Sequence, residues 1–105
     1  MKLTDHLIVL SFDCLSSLDI PHLRELPHFQ AFISNASYCT NVKTIYPSVT
    51  YPCHTTIVTG KYPKNHGIIN NTLLQPGVPS PDWYWRRSHI RGTTLYDEAK
   101  KAGMK

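Results

Sequence analysis

The chain has 105 residues, 41% of them hydrophobic and 17% charged, with eleven Lys and Arg against seven Asp and Glu for a formal charge of +4. That length allows one modest domain, and the composition is ordinary for a globular protein. The basic residues gather late, in RRSHIR and KKAGMK, too thinly for a nucleic-acid surface, so a solvated face is expected and no nucleic-acid polymer as partner.

Residues 6–13, HLIVLSFD, form a continuous apolar run ending in a polar turn, the pattern of a strand buried on both faces. The run is too short for a signal peptide or a membrane span. Three cysteines, Cys14, Cys39 and Cys53, make no C-x-x-C pair and leave one over. A cytoplasmic protein, without membrane contact or a disulfide framework, is the expectation. In DIPHLRELPHFQAFISNAS, Leu23, Leu26, Phe29, Phe32 and Ile33 recur at helical spacing, which predicts one or two short helices broken near Pro27. YCTNVKTIYP, 38–47, is rich in β-branched residues and stops at Pro47, which suits a second strand.

A short helix is predicted next, with Thr50 or Tyr51 as N-cap and Pro52 at the first helical position. It runs through CHTTIVTG, buries Ile57 and Val58, and closes at Gly60. Residues 61–92 show no period and read as a loop. GTTLYDEAKKAG is a final helix, capped by Thr93 or Thr94 and stopped at Gly103. The order is β–α–β–α, loop, helix. Two parallel strands buried on both faces need more strands beside them, so the chain reads as the N-terminal part of a larger α/β domain.

Three residues carry candidate chemistry. Asp13 lies at the carboxyl end of the first predicted strand, where ligands collect in open α/β sheets, and it suits either a metal or a turn. Thr50 lies at the amino end of a helix, a natural anion site, and is either an N-cap or a hydroxyl nucleophile. No Lys or acidic residue stands within two positions to activate it, so a metal would be the activator. Asn71 is either a turn residue or a donor to a phosphoryl oxygen. The six histidines make no H-x-x-H set, so no zinc site is complete, and His54 and His66 are expected to be structural. Cys53 lacks the Pro and Arg of a sulfatase C-x-P-x-R run.

Taken together, SFDCLS, YPSVTYPCHTTIVTGKYPKNHGIINN and WYWRRSHIRGTTLYDEAKKAG resemble the nucleotide pyrophosphatase/phosphodiesterase family of the alkaline phosphatase superfamily, over nearly the whole chain. The resemblance implies an α/β, alkaline-phosphatase-like three-layer fold with a largely parallel central sheet, of which residues 1–105 form an N-terminal, incomplete part of the catalytic domain. It implies Asp13 as a zinc ligand, Thr50 as a nucleophile that also touches a metal, and Asn71 as the amide that stabilises the phosphoryl oxygens. Tyr51 matches an aromatic residue that stacks on a base. Cys14 departs from the family's Gly after the metal Asp, and Cys53 from the Asn of its P-N-H run. The implied cofactors are two divalent metal ions, zinc, whose other ligands lie outside these residues, so the 105-residue chain alone is expected to be inactive.

The implied reaction is hydrolysis of a small-molecule phosphodiester or nucleotide through a phospho-threonine. The alternatives are a phosphonate or phosphomonoester hydrolase with the same Thr, or a non-catalytic module that keeps the fold. The DWYW aromatics lean toward a planar or choline-like substrate group.

Overall fold

The computed structural model describes His6 and residues 8–104, which belong to two compact units, Met1–Lys43 and Thr44–Lys105. The first unit carries helices α1 (Ile20–Leu23) and α2 (Pro27–Ser34). Pro27 opens α2 at its first turn, where a missing N–H costs nothing, so the predicted break falls at that residue. A turn precedes α1: the Ser16 amide and hydroxyl both donate to Asp19 Oδ2, at 2.7 and 2.9 Å. Those bonds, the backbone one first, hold the Asp19 carboxyl below the usual carboxylate range. Phe29 and Phe32 pack at 6.3 Å between ring centroids, and Arg24 both donates to Tyr38 Oη (2.9 Å) and lies over its ring.

No strand forms among the described residues, which corrects both strand predictions, apart from Leu7, which lies outside them. Residues 8–13 and 38–47 lack ladder partners, and Ile8, Val9, Leu10 and Phe12 are all exposed. The physical reason is that a strand is a pairing, not a local state. Its backbone groups and both of its apolar faces need neighbours that these residues do not supply to one another. The predicted parallel sheet is therefore not observed among the described residues.

The second unit is built on α3 (Thr50–Thr59), α4 (Pro63–His66) and α5 (Leu95–Lys101), with α3 packed against the other two. Helix α3 starts earlier than its sequence suggests. Val49 is the N-cap, Thr50 is the first helical residue, and Pro52 sits at the third, still among the orphan N–H positions. Its buried residues are Pro52 and Thr55, whereas Ile57 is exposed and Val58 half-buried. The face that packs on α4 and α5 thus runs through a hydroxyl and a ring rather than the aliphatic pair. Gly60 ends the helix in the left-handed region (φ 64°), its amide donating to the Thr56 carbonyl at 2.8 Å.

Residues 61–92 are not a structureless loop. After α4, residues 71–75 and 82–84 run antiparallel, joined by a Thr72–Trp83 bridge and the bonds Leu73 N–H to Asp82 O (2.7 Å) and Tyr84 N–H to Asn71 O (3.1 Å). Gln75 and Asp82 lock side chain to side chain and backbone, at 3.0 and 2.7 Å. A turn follows in which Val78 N–H donates to Gln75 O, with Pro76 and Gly77 (φ 80°) in the middle. A 3-10 turn at Arg87–His89 leads on to α5. Thr94 caps α5 in a capping box with Asp97. Arg87, bonded to the carbonyls of Ile90 and Gly92, also pairs with Asp97 at 2.6 Å. The Arg87 guanidinium, then the Thr94 amide and hydroxyl, hold the Asp97 carboxyl far below the usual carboxylate range.

The centre of this unit is His66, 0% exposed, beside Ile68 at 1%. Ile68 N–H donates to His66 Nδ1 (3.1 Å), so that nitrogen carries no proton and Nε2–H donates to Thr56 Oγ1 (3.0 Å). The His66 carbonyl accepts from Arg91 N–H at 2.9 Å. One buried residue, through its neutral ring and its carbonyl, therefore joins α3, α4 and the segment that leads to α5. Burial pushes its pKa below the ordinary value of 6.5. The unfolded chain takes up a proton below about pH 6.5 that the folded ring refuses, so stability is full above that pH and declines as pH falls below it. Urea midpoints measured from pH 8 to pH 5 should drop across the acid half of that range. Midpoints that stay level or rise there contradict this role for His66.

Candidate active site

Thr50, Tyr51 and Asn71 come together at the start of α3. The Tyr51 amide, an orphan donor of the first helical turn, donates to Asn71 Oδ1 at 2.8 Å across twenty residues of sequence. Val49, the N-cap, has no side chain able to accept, so the cap comes from the segment that closes back on the helix. That bond fixes the amide's orientation, because an N–H must meet the oxygen. Asn71 Nδ2 is left to donate elsewhere. Asn70 supports the arrangement by accepting from the Asn71 amide at 2.9 Å.

At the same helix end the remaining donors are few. Pro52 has no N–H, and Cys53 N–H bonds the Val49 carbonyl (3.1 Å). Thr50 is half-buried, and among the described residues neither its hydroxyl nor Asn71 Nδ2 has a protein partner. The site thus offers a hydroxyl, an amide N–H and a side-chain NH2 at the positive end of a helix, a set suited to a phosphoryl group. His54 Nδ1 lies 2.9 Å from the Thr50 carbonyl, one turn back, which agrees with a structural role. Cys53 Sγ is 3.2 Å from Thr44 Oγ1 on the approach to α3.

Three aromatic rings adjoin this end of α3. Tyr51 meets Trp83 edge-on at 5.4 Å and Trp85 at 6.2 Å between centroids, and the two indoles lie 5.8 Å apart at 30°. Sequence reasoning noted the aromatic run but not its contact with Tyr51. The signal was there: W-Y-W in an extended segment puts the two tryptophans on one face.

Asp13 lies in the first unit, at the turn before Ser16, with Oδ1 accepting from Cys14 N–H at 3.1 Å. Cys14 has φ 61°, the one left-handed non-glycine among the described residues. The backbone here thus keeps the geometry for which glycine is suited, although a cysteine occupies it. Among the described residues no three His, Cys, Asp or Glu side chains gather as a metal site. Asp13 Oδ2 and Thr50 Oγ1 are each a hard oxygen donor of the kind a divalent ion accepts.

Residues 7–105 match the family of type I phosphodiesterases/nucleotide pyrophosphatases, a span that includes every candidate residue. The chain is 32% identical over 91 residues to the human ectonucleotide pyrophosphatase/phosphodiesterase family member 1, covering 76% of this chain and 9% of that protein. It is 37% identical over 72 residues to a bis(5'-adenosyl)-triphosphatase of Pongo abelii, covering 69% of this chain and 16% of that protein. The venom phosphodiesterase of Macrovipera lebetinus is 31% identical over 88 residues, covering 73% of this chain and 10% of its own. The chain therefore spans a small part of the length of these relatives. No solved structure matches it.

The left-handed Cys14 yields a stability test. A non-glycine residue in that region costs about 1–2 kcal/mol, and glycine returns part of the gain through its freer unfolded chain. Cys14→Gly should stabilise the first unit by about 0.5–1 kcal/mol, read as a higher urea midpoint by circular dichroism. A lower midpoint contradicts the strain.

Proposed function

The chain belongs to the type I phosphodiesterase/nucleotide pyrophosphatase family, and from that premise we propose that the whole protein hydrolyses phosphodiester or pyrophosphate bonds of small nucleotide-type substrates, with Thr50 as nucleophile. The single observation that carries this is the Tyr51 N–H bond to Asn71 Oδ1. It supports Asn71 as the amide that donates to phosphoryl oxygens beside the Thr50 hydroxyl.

In this reading Thr50 Oγ1 attacks phosphorus and its proton passes to solvent, which in turn protonates the departing oxygen. The bond to the leaving oxygen breaks with its electron pair on that oxygen, and a phosphorylated threonine, still esterified to the nucleoside, remains. Water then cleaves the new Oγ–P bond and restores the hydroxyl. Asn71 Nδ2 and the Thr50 amide donate to the oxygens that gain charge, at the positive end of α3. Tyr51, next in sequence to Thr50, offers a ring face to the base. Two divalent ions, zinc in this proposal, would be held in part by Asp13 and Thr50 and would supply a lowered hydroxyl pKa and charge neutralisation when bound. Residues 1–105 form an N-terminal part of the catalytic domain, inactive alone. A cytoplasmic location is part of the proposal, from an odd number of cysteines without a C-x-x-C pair.

In the whole protein, Thr50→Ala should remove nearly all turnover of a nitrophenyl nucleotide ester while metal content, held by the other ligands, stays largely intact. Asn71→Asp keeps the oxygen that caps α3 but loses the NH2, so it should fold normally and lose on the order of 100-fold in kcat. Asn71→Ala should lose stability as well, by about 1 kcal/mol. Wild-type turnover in Thr50→Ala sinks the nucleophile assignment. Full activity with nitrophenyl phosphate or phosphonoacetate but none with the nucleotide ester sinks the substrate class.

A further inference from the structure

Two backbone N–H groups close the excursion of chain from Ile68 to Arg91 at its base, and both end on His66. Ile68 N–H donates to the ring at Nδ1 (3.1 Å), and Arg91 N–H donates to the carbonyl (2.9 Å). The ring's other nitrogen holds Thr56 Oγ1 on α3 at 3.0 Å. Shortly after Ile68 the same excursion delivers Asn71 Oδ1 to the Tyr51 amide. His66 therefore stands between α3 and both ends of the segment that caps it.

His66 and Ile68 are both buried, so water does not replace a bond lost between them. A second proton on the imidazole would sit on Nδ1, where Ile68 N–H already points, and two donors would then face each other. The imidazolium would also be a buried charge without a counter-ion. Among the described residues the ring is bonded to Thr56 and Ile68, both uncharged. Helix α3 carries Tyr51, Cys53 and His54, and α4 carries Lys64, with no carboxylate on either. Arg91, a further cation, packs on Gly67, where a Cβ would meet its Nε at 3.2 Å. On α5, Asp97 is paired with Arg87 and Glu98 with Lys101.

We propose that His66 is a positioning residue for Asn71 and a proton-sensitive clamp: a proton at Nδ1 displaces Ile68 N–H, frees the near end of the 68–91 segment and loosens the Asn71 cap on Tyr51. The clamp itself stands on these hydrogen bonds, and its effect on turnover rests on the catalytic reading above. Opening lets the ring take up a proton below about pH 6.5, so the open population grows as pH falls. One proton sets the slope at about tenfold per pH unit.

Hydrogen exchange of the whole protein tests the clamp, followed at the Ile68 and Tyr51 amides and corrected for the intrinsic pH dependence of exchange. Protection at both should hold level from pH 8 to pH 7, then fall together by about tenfold between pH 6 and pH 5. His66→Asn keeps an oxygen two residues before the Ile68 amide, as in an Asx turn, and does not titrate. It should lower protection at every pH, because the Thr56 bond is lost, and abolish the acid fall. His66→Ala should be flat with pH and less protected than His66→Asn. His54→Gln should retain the fall, which separates the buried ring from the one at the Thr50 carbonyl. Level protection in the parent, an acid fall that survives in His66→Asn, or a fall at Ile68 without one at Tyr51 overturns the proposal. The parent profile is decisive even where a variant fails to fold. With Asn71 as the phosphoryl donor, kcat of the parent relative to His66→Asn should fall over the same range with KM little changed. An unchanged ratio alongside lost protection refutes the catalytic role of Asn71 and leaves the clamp standing.

Discussion

The bond from the Tyr51 amide to Asn71 Oδ1 is the constraint on which the second unit's polar site depends. It does three things with one contact. It satisfies a helix N–H that neither Val49 nor Pro52 is able to help cap, it fixes which end of the Asn71 amide faces outward, and it closes twenty residues of chain onto the helix end. Through the Asn71 carbonyl the same residue anchors Tyr84, and with it the flanking tryptophans. A short helix of mixed polarity gains a defined end, and the proposed nucleophile and donor are neighbours because of it.

That closure needs a rigid base, and His66 is its main element. A fully buried imidazole costs little when it is neutral and both nitrogens are bonded, as they are to Ile68 and Thr56. The left-handed Gly67 that follows is packed by Arg91: a side chain at Gly67 would meet Arg91 Nε at 3.2 Å. Arg91 in turn bonds the His66 carbonyl through its amide. Polar groups thus form much of the interior of a unit whose buried aliphatic content is small. In physical terms a buried neutral group with its hydrogen bonds made fixes geometry more sharply than it adds stability.

Local chemistry was legible in the sequence, and distant pairing was not. Thr94, Gly60 and Gly103 act where capping rules put them, and Pro27 breaks the helices where its ring demands. Thr50 was assigned to the right helix end but to the wrong side of the cap, since the cap comes from Asn71, far along the chain. Residues 61–92 looked unstructured because no period runs through them, yet Pro76–Gly77 is a turn signal and W-Y-W an extended-face signal. The strands predicted at 6–13 and 38–47 are not observed among the described residues for the opposite reason: their apolar runs are plain, but a ladder depends on partners a local pattern does not contain. The candidate site residues stand out only through the order and spacing of a long motif, because each alone reads equally well as a cap or a turn.

The central claim is that Thr50 becomes covalently attached to phosphorus and that water then releases it. Two successive in-line displacements restore the original configuration at phosphorus, whereas a single attack by water inverts it. The decisive measurement is therefore the stereochemical course of hydrolysis of a chiral phosphorothioate nucleotide ester in isotopically labelled water by the whole protein. Net retention is the predicted result, and net inversion would contradict the account.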